Sequence, residues 1–332
     1  MSASESAPPT RLGRPPTRMS IGNIISVLWG FTESDLVTFA FPNTAFGILG
    51  ALAGTFAAAD NESGVVPRPP TWREIVLRLP LVLAFNWCNL LVFNMANQRS
   101  ALSVAEDAVN KPWRPISSGK ITPEQTRRAM LAIIPLSLWY HHLLGLWAYG
   151  LGMLAGIWAY NDLGGGDEAF LRELLIALGY GVFNHGSLRI ALGSHGAEVG
   201  PKGNLWTAII SGVVLTTMQV QDLKDQAGDR LRGRKTIVLF LGERFSRGSI
   251  AFFVCVWSCV CAWFWAPPVW AGALMVALGG LVVWRVLMQR GGVADDRRTW
   301  RTWCFWHSCL YLLPFVDFGR AAFGTPPSTL IT

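Results

Sequence analysis

The sequence predicts an all-α fold, a polytopic membrane bundle of about nine transmembrane helices around a central cavity. Three observations carry that expectation. Hydrophobic residues make up 51% of the 332 positions and charged residues only 15%, whereas soluble domains carry roughly 25% charged residues. The 16 Trp and 18 Phe exclude an intrinsically disordered chain, which needs few aromatics and many charges. The apolar residues also fall into runs near the length that spans a bilayer, with the charges gathered in short blocks between them. Because of that block pattern, the net charge of +7 points to membrane-facing loops and not to a nucleic-acid partner.

Residues 1–20 are rich in Ser, Pro and Arg and have no apolar core. They read as a disordered cytosolic tail and not as a signal peptide. Ile21, Ile24, Ile25 and Leu28 fall on one side at helical spacing, a pattern suited to a helix lying in the membrane interface. Candidate spans follow at 37–57, 76–96, 130–147, 146–160, 170–192, 205–220, 250–266, 269–288 and 303–318. The third and fourth run together across 144–149, where a turn has to fall. Residues 21–320 therefore form one domain, and 321–332 a C-terminal tail. Basic blocks at 99–128, 224–247 and 290–301 follow the second, sixth and eighth spans, so all three leave on one cytosolic side. Asp162, Asp167 and Glu168 make the loop after the fourth span an acidic exception. With no targeting segment recognised, the endoplasmic reticulum is the expected membrane for a eukaryotic source. Trp257, Trp263, Trp265 and Trp270 read as an interfacial belt.

Two basic blocks also carry acids. Asp222, Asp225 and Asp229 are spaced i, i+3 and i+7, which on a continuous helix stacks three carboxylates on one face. Carboxylates so close call for a cation, and magnesium takes oxygen ligands while bridging to phosphates. Lys224, Arg230, Arg232, Arg234 and Lys235 stand ready to grip a polyanion. In the earlier block Glu106 and Asp107 offer a second acidic pair, with Asn94 or Asn97 adding an amide oxygen. Lys111, Arg114 and Lys120 lie on a loop broken by Pro112, Pro115 and Gly119. The bland alternative for each block is a solvated, mixed-charge loop. Together, two acid-plus-base loops on one side would form a two-metal site for a diphosphate. Trp87, Trp139, Trp158, Tyr160, Tyr180 and Phe183 are candidates to line the cavity, with Asn161 and Asn184 as its polar members. The competing readings are interfacial anchoring for the aromatics and helix–helix hydrogen bonding for the asparagines.

The two blocks resemble the aspartate-rich motifs of the UbiA-type prenyltransferase superfamily, over essentially residues 20–320. The stretch at 110–121, Asn-Lys-Pro-Trp-Arg-Pro-Ile-Ser-Ser-Gly-Lys-Ile, is similar to the signature that follows the family's first motif. Asp222-Leu-Lys-Asp-Gln-Ala-Gly-Asp229, with Gly233-Arg-Lys-Thr236 and Leu241-Gly242 after it, resembles the second. The first motif departs from the pattern. Asp107 fits its last acid, but Arg99 and Ser103 occupy the two earlier positions, so Asn97 and Glu106 are the substitutes. This altered motif resembles fungal UbiA-type terpene cyclases of the bergamotene-forming kind. Tyr160-Asn-Asp-Leu-Gly-Gly-Gly166 and Gly179-Tyr-Gly-Val-Phe-Asn-His-Gly186 are similar to that group too.

The resemblance implies magnesium-dependent ionisation of a prenyl diphosphate, with farnesyl diphosphate the expected substrate. Asn97, Glu106 and Asp107 would hold one magnesium, and Asp222, Asp225 and Asp229 the other. Lys111, Arg114, Lys120, Lys224, Arg230, Arg234 and Lys235 would hold the diphosphate. A cyclase would then close the cation into a sesquiterpene, while a prenyltransferase would pass it to an aromatic or other small acceptor. A transporter with parallel repeats is a third class, opposed by charges at one surface instead of the midplane.

Overall fold

The computed structural model describes residues 20–58, 68–193, 198–288 and 291–316, so the expected tails lie outside the described residues except for Ser20. Among the described residues every regular element is helical, apart from one isolated bridge between Ala57 and Val199.

Helix α1 (Ile21–Asp35) starts at Ser20, whose hydroxyl accepts from the Asn23 N–H. It continues through a π-helical turn (Leu36–Ala40) into α2 (Phe41–Leu52). Pro42 cannot donate to the helical ladder, and the chain approaches it through that wider turn. The first helical run therefore begins at 21 and not at 37. The stripe expected to lie along the membrane surface forms its opening turns, with Ile21 78% and Ile25 63% exposed.

Helix α3 (Trp72–Gln98) opens on a reciprocal cap between Thr71 and Glu74. Short α4 (Ala101–Asn110) follows it at once. The doubtful boundary between the third and fourth apolar runs is settled by α5 (Pro123–Leu143) and α6 (Trp147–Asn161). Gly145 turns the chain between them at φ 68°, a left-handed conformation that glycine adopts without steric cost. Next come α7 (Ala169–Leu192), α8 (Pro201–Thr217), a 3₁₀ segment (Met218–Lys224), α9 (Gln226–Arg232) and α10 (Ile237–Phe240). Helices α11 (Glu243–Trp265), α12 (Val269–Met288) and α13 (Val293–Leu310) complete the order.

Helix α7 is central: it packs on α2, α3, α6 and α8, while α11, α12 and α13 form a row that returns against the 3₁₀ segment. A Cβ on Gly47 of α2 would stand 2.5 Å from the Ser187 backbone of α7, so the two helices meet almost backbone to backbone. Trp265, expected in the interfacial belt, is instead buried against Phe56 and Trp206.

The protein is an integral membrane protein. Each of the nine apolar runs is helical over most of its described length. By length and composition alone, four described segments are long and apolar enough to cross a bilayer: Ile21–Leu52, Trp72–Gln98, Glu243–Trp265 and Val269–Met288. The others are shorter or carry charges that the bundle pairs internally, as Arg172 and Glu173 do in α7.

Candidate active site

The two acid-bearing segments meet at one end of the bundle, where α4 packs on α9. The joint is specific. Asn110, the last residue of α4, donates through Nδ2 to the Asp225 carbonyl at 3.0 Å, and its Oδ1 accepts from the Gly228 N–H at 3.2 Å. A Cβ on Gly228 would lie 2.3 Å from Asn110 Nδ2, so only glycine admits this approach. Asn110 belongs to the motif quoted above, yet nothing in the spacing marked it as the clasp between the motifs.

The three acids do not lie on one continuous α-helix: the 3₁₀ segment ends at Lys224 and α9 begins at Gln226, so Asp225 sits at the junction. The turns still connect, since the Asp225 N–H donates to the Asp222 carbonyl at 3.2 Å and the Asp229 N–H to the Asp225 carbonyl at 3.1 Å. Asp222 receives a two-pronged contact from Arg172 at 2.9 and 3.1 Å, and Arg172 also donates to Glu173 at 2.8 Å. Asp225 pairs with Lys224. Asp229 lies 3.4 Å from Arg234.

In the first segment Asp107 is held by Arg114 at 2.8 Å. Arg114 also faces Asp35 at 4.0 Å, and Asp35 accepts from Asn94 at 2.9 Å. Glu106 reaches across to Arg232 at 3.2 Å and Arg234 at 3.1 Å. The acidic loop joins this web. Asp167 accepts from Arg232 at 2.7 Å and from Arg234 at 3.3 Å, while Asp162 pairs with Arg99. Its acids are counter-charges to the basic blocks, which accounts for the exception to the positive-inside pattern. Gly165 and Gly166 let this loop fold back on α6: a Cβ on Gly166 would lie 2.5 Å from the Tyr160 ring.

Burial dominates the electrostatics. It raises Asp222 to about 7 against the lowering effect of Arg172. It raises Asp229 to about 7 as well, helped by the Asp222 charge and opposed by Arg234. For Asp107, burial likewise outweighs Arg114 and Lys111. At Asp225 burial pushes upward, but Lys224, Lys111 and Arg114 outweigh it and hold the carboxyl below its usual range. Lys111 is lowered by the Arg114 charge and by burial.

The placement of the remaining candidates is uneven. Asn97, on the last turn of α3, has a buried Oδ1 without a partner among the described residues. The neighbouring amide that joins the ion-pair web is Asn94. Lys120 is exposed, Arg230 is exposed and bonded to Gln226 at 3.0 Å, and Lys235 is exposed beside Glu168 at 3.2 Å. None of these three enters the buried web. Among the aromatics, Tyr180 and Phe183 are buried against Phe39 at 4.7 and 4.5 Å between ring centroids. Tyr160 packs on Phe93 at 5.3 Å. Asn184 donates to the Tyr311 hydroxyl at 3.3 Å, whereas Asn161 donates to its own helix at Ile157. Trp87 donates to Thr32 at 3.2 Å and borders an apolar cleft of about 530 Å³ with Leu28, Trp29, Leu36 and Phe41.

Two lining assignments are corrected. Trp158 is 57% exposed and Trp139 59% exposed. Trp158 precedes the inward Tyr160 by two residues, which is more than half a turn around a helix. The sequence reading also missed Asp35, Arg172 and Asp167 as members of the site. A signal existed for Arg172, since charges inside an apolar run are functional suspects.

The donors fit a hard divalent cation. Among the described residues no three His, Cys, Asp or Glu side chains converge as a ready-made cage. Magnesium does not need one, because it keeps waters and takes one or two carboxylates together with phosphate oxygens. Asp229 Oδ2 is buried and has no hydrogen-bond partner among the described residues, and the orphaned Asn97 Oδ1 is a second oxygen donor.

Paired acidic segments docked on each other at one end of a helical membrane bundle suit an integral membrane enzyme. Residues 47–310 match the UbiA prenyltransferase family, and the chain belongs to that family. Its activity is that of a terpene cyclase or a prenyltransferase. It is 30% identical to the fumagillin beta-trans-bergamotene synthase of Aspergillus fumigatus over 75% of this chain and 80% of that protein. It is 30% identical to the somaliensene A/B synthase of Streptomyces somaliensis over 86% of this chain and 90% of that one. In fold it is similar to a UbiA homolog from Archaeoglobus fulgidus, solved with GPP and Mg2+. That likeness has a TM-score of 0.55 at 14% identity and covers 87% of this chain and 99% of the other.

Proposed function

We propose that this protein ionises farnesyl diphosphate with magnesium and cyclises the resulting cation to a sesquiterpene, crossing its membrane nine times. The observation that carries this reading is the clasped pair of acidic segments, interleaved with Arg114, Arg172, Arg232 and Arg234, in a bundle that buries Tyr180 and Phe183. The bergamotene and somaliensene synthases it resembles are named as terpene synthases, which favours cyclisation. If the source is eukaryotic, its membrane is the endoplasmic reticulum.

Asp222, Asp225 and Asp229 would hold one magnesium, and Glu106 and Asp107 with Asn97 the other. Bound there, the metal would supply positive charge to the departing diphosphate. The chain's own residues do the rest. Lys111, Arg114, Lys224 and Arg234 stand in or beside the buried web and can exchange a carboxylate partner for phosphate oxygens, a geometry that suits guanidinium. Lys120, Arg230 and Lys235, exposed at the rim, steer the anion inward. Tyr180 and Phe183 exclude water and offer ring faces to the cation.

The test is incubation of membranes bearing the protein with farnesyl diphosphate and magnesium, with no acceptor, followed by analysis of the organic extract. A new sesquiterpene that disappears with chelator is the expected result. Turnover appearing only when an aromatic acceptor is added assigns prenyl transfer instead.

A further inference from the structure

One buried amide on α2 is satisfied by no hydrogen bond among the described residues. Asn43 of α2 is fully buried, and neither its amide nitrogen nor its oxygen has a hydrogen-bond partner among the described residues. Burying an unpaired amide costs stability, so such a group asks for a reason.

Its position supplies one. Phe39, one turn before it, packs edge-on against Tyr180 and Phe183. Phe46, one turn after it, packs edge-on against Tyr311 at 5.1 Å. With Phe39 opposite Tyr180 and Phe183, and Gly47 opposite Ser187, the register of α2 and α7 puts Asn43 level with Asn184. Asn184 is also fully buried, and its Oδ1 is likewise without a partner among the described residues.

This seam is continuous with the charged end. Trp300 lies under Lys224 at 5.9 Å, and Trp300, Trp303, His307 and Tyr311 then contact one another in turn along α13. On the other wall the π-helical turn carries the chain from Asp35, held by Asn94, to Phe39. Turns of that kind recur at functional sites.

Fixed amide dipoles among aromatic faces can stabilise a transient carbocation without adding a charge that would trap it. We propose that Asn43, with Asn184 at its level, is a specificity-determining pair. The two amide oxygens favour positive charge at one position along the prenyl chain and so bias which product forms. The proposal rests on the prenyl-diphosphate reading above.

The test is Asn43→Leu in the full chain, assayed in membranes with farnesyl diphosphate and magnesium. Diphosphate release, product ratios and the melting temperature in detergent are all read. The expected result is an equal or higher melting temperature, diphosphate release within about threefold of wild type, and a ratio of major to minor products shifted by about tenfold. Unchanged ratios with a raised melting temperature overturn the proposal, because the amide is then a structural cost and nothing more. If Asn43→Leu does not fold, Asn43→Ala replaces it, and an unchanged ratio or a loss of folding in that variant overturns the proposal equally. Failure of the wild type to release diphosphate overturns the prenyl-diphosphate reading itself, and is told apart because the substitution plays no part in it.

Discussion

The two acid-bearing segments are made of similar residues but are anchored in opposite ways. Asp107 in α4 is held by Arg114, seven residues further along its own loop, whereas Asp222 is held by Arg172, fifty residues back in α7. The first segment carries its partner with it. The second is pinned to the bundle core, while Asp225 at its junction pairs with the neighbouring Lys224 and also feels Lys111 and Arg114 of the first segment. Glu106 couples the two by reaching Arg232 and Arg234 across the joint. Similar composition therefore does not make equal sites. A locally paired carboxylate can be freed by moving a loop, while a core-paired one is freed only by moving a guanidinium inside the bundle.

Removing acids gives the sharpest break in that comparison. Asp225→Ala and Asp229→Ala are each expected to lower diphosphate release by about 10³-fold while the protein remains folded in detergent. Activity near wild type in either variant would make the second segment scaffolding only. In the first segment Asp107→Asn should cost more rate than Ser103→Ala, whose hydroxyl merely meets Arg232 at 2.6 Å; the reverse order would mean that Asp107 is misassigned as the last acid of its motif.

Removing the cations tests the anchoring. Arg172→Met leaves Asp222 buried beside Glu173 with its main counter-charge gone, and should destabilise the fold by about 3–5 kcal/mol. Arg114→Met should cost less, because the short α4 can turn Asp107 toward water. Melting curves in detergent read both, and equal losses would erase the distinction between local and core pairing.

The joint between the segments gives a smaller effect. Gly228→Ala drives a Cβ into Asn110 and should cost about 1–3 kcal/mol. In the Asn110→Ala background the same change should cost markedly less, a non-additivity expected of touching residues. Additive losses would show that the clasp is not where the segments meet.

The pH dependence is subtlest. Burial raises Asp222 and Asp229 to about 7, above the about 3.9 of an unfolded aspartate. Between those values the folded state binds more protons than the unfolded one, so the metal-free protein loses stability as pH rises through that window. Magnesium needs the deprotonated forms. The rise in melting temperature that magnesium confers should therefore be larger at pH 8 than at pH 6, and Asp229→Asn should flatten the difference. A magnesium effect independent of pH would place the cation elsewhere.

The helical membrane bundle, the approximate helices and the two acid-plus-base segments on one side are all legible in the chain's own residue order. Hydropathy, charge placement and glycine or proline punctuation act over a few residues, so a linear reading recovers them. Tyr180, Phe183 and Asn184, named as cavity candidates from their apolar runs, are buried, while Trp139 and Trp158 on similar runs are exposed. The pairings came from tertiary contacts. They placed Asp225 at a 3₁₀-to-α junction, brought Arg172 and Asp167 to the acids and bases, turned Trp158 outward and left Asn43 without a hydrogen-bond partner among the described residues. Each of those outcomes depends on helix phase and on which helices dock. Docking is set by close approaches such as Gly47 on Ser187 and Gly228 on Asn110, contacts between residues far apart in the chain that no local pattern encodes.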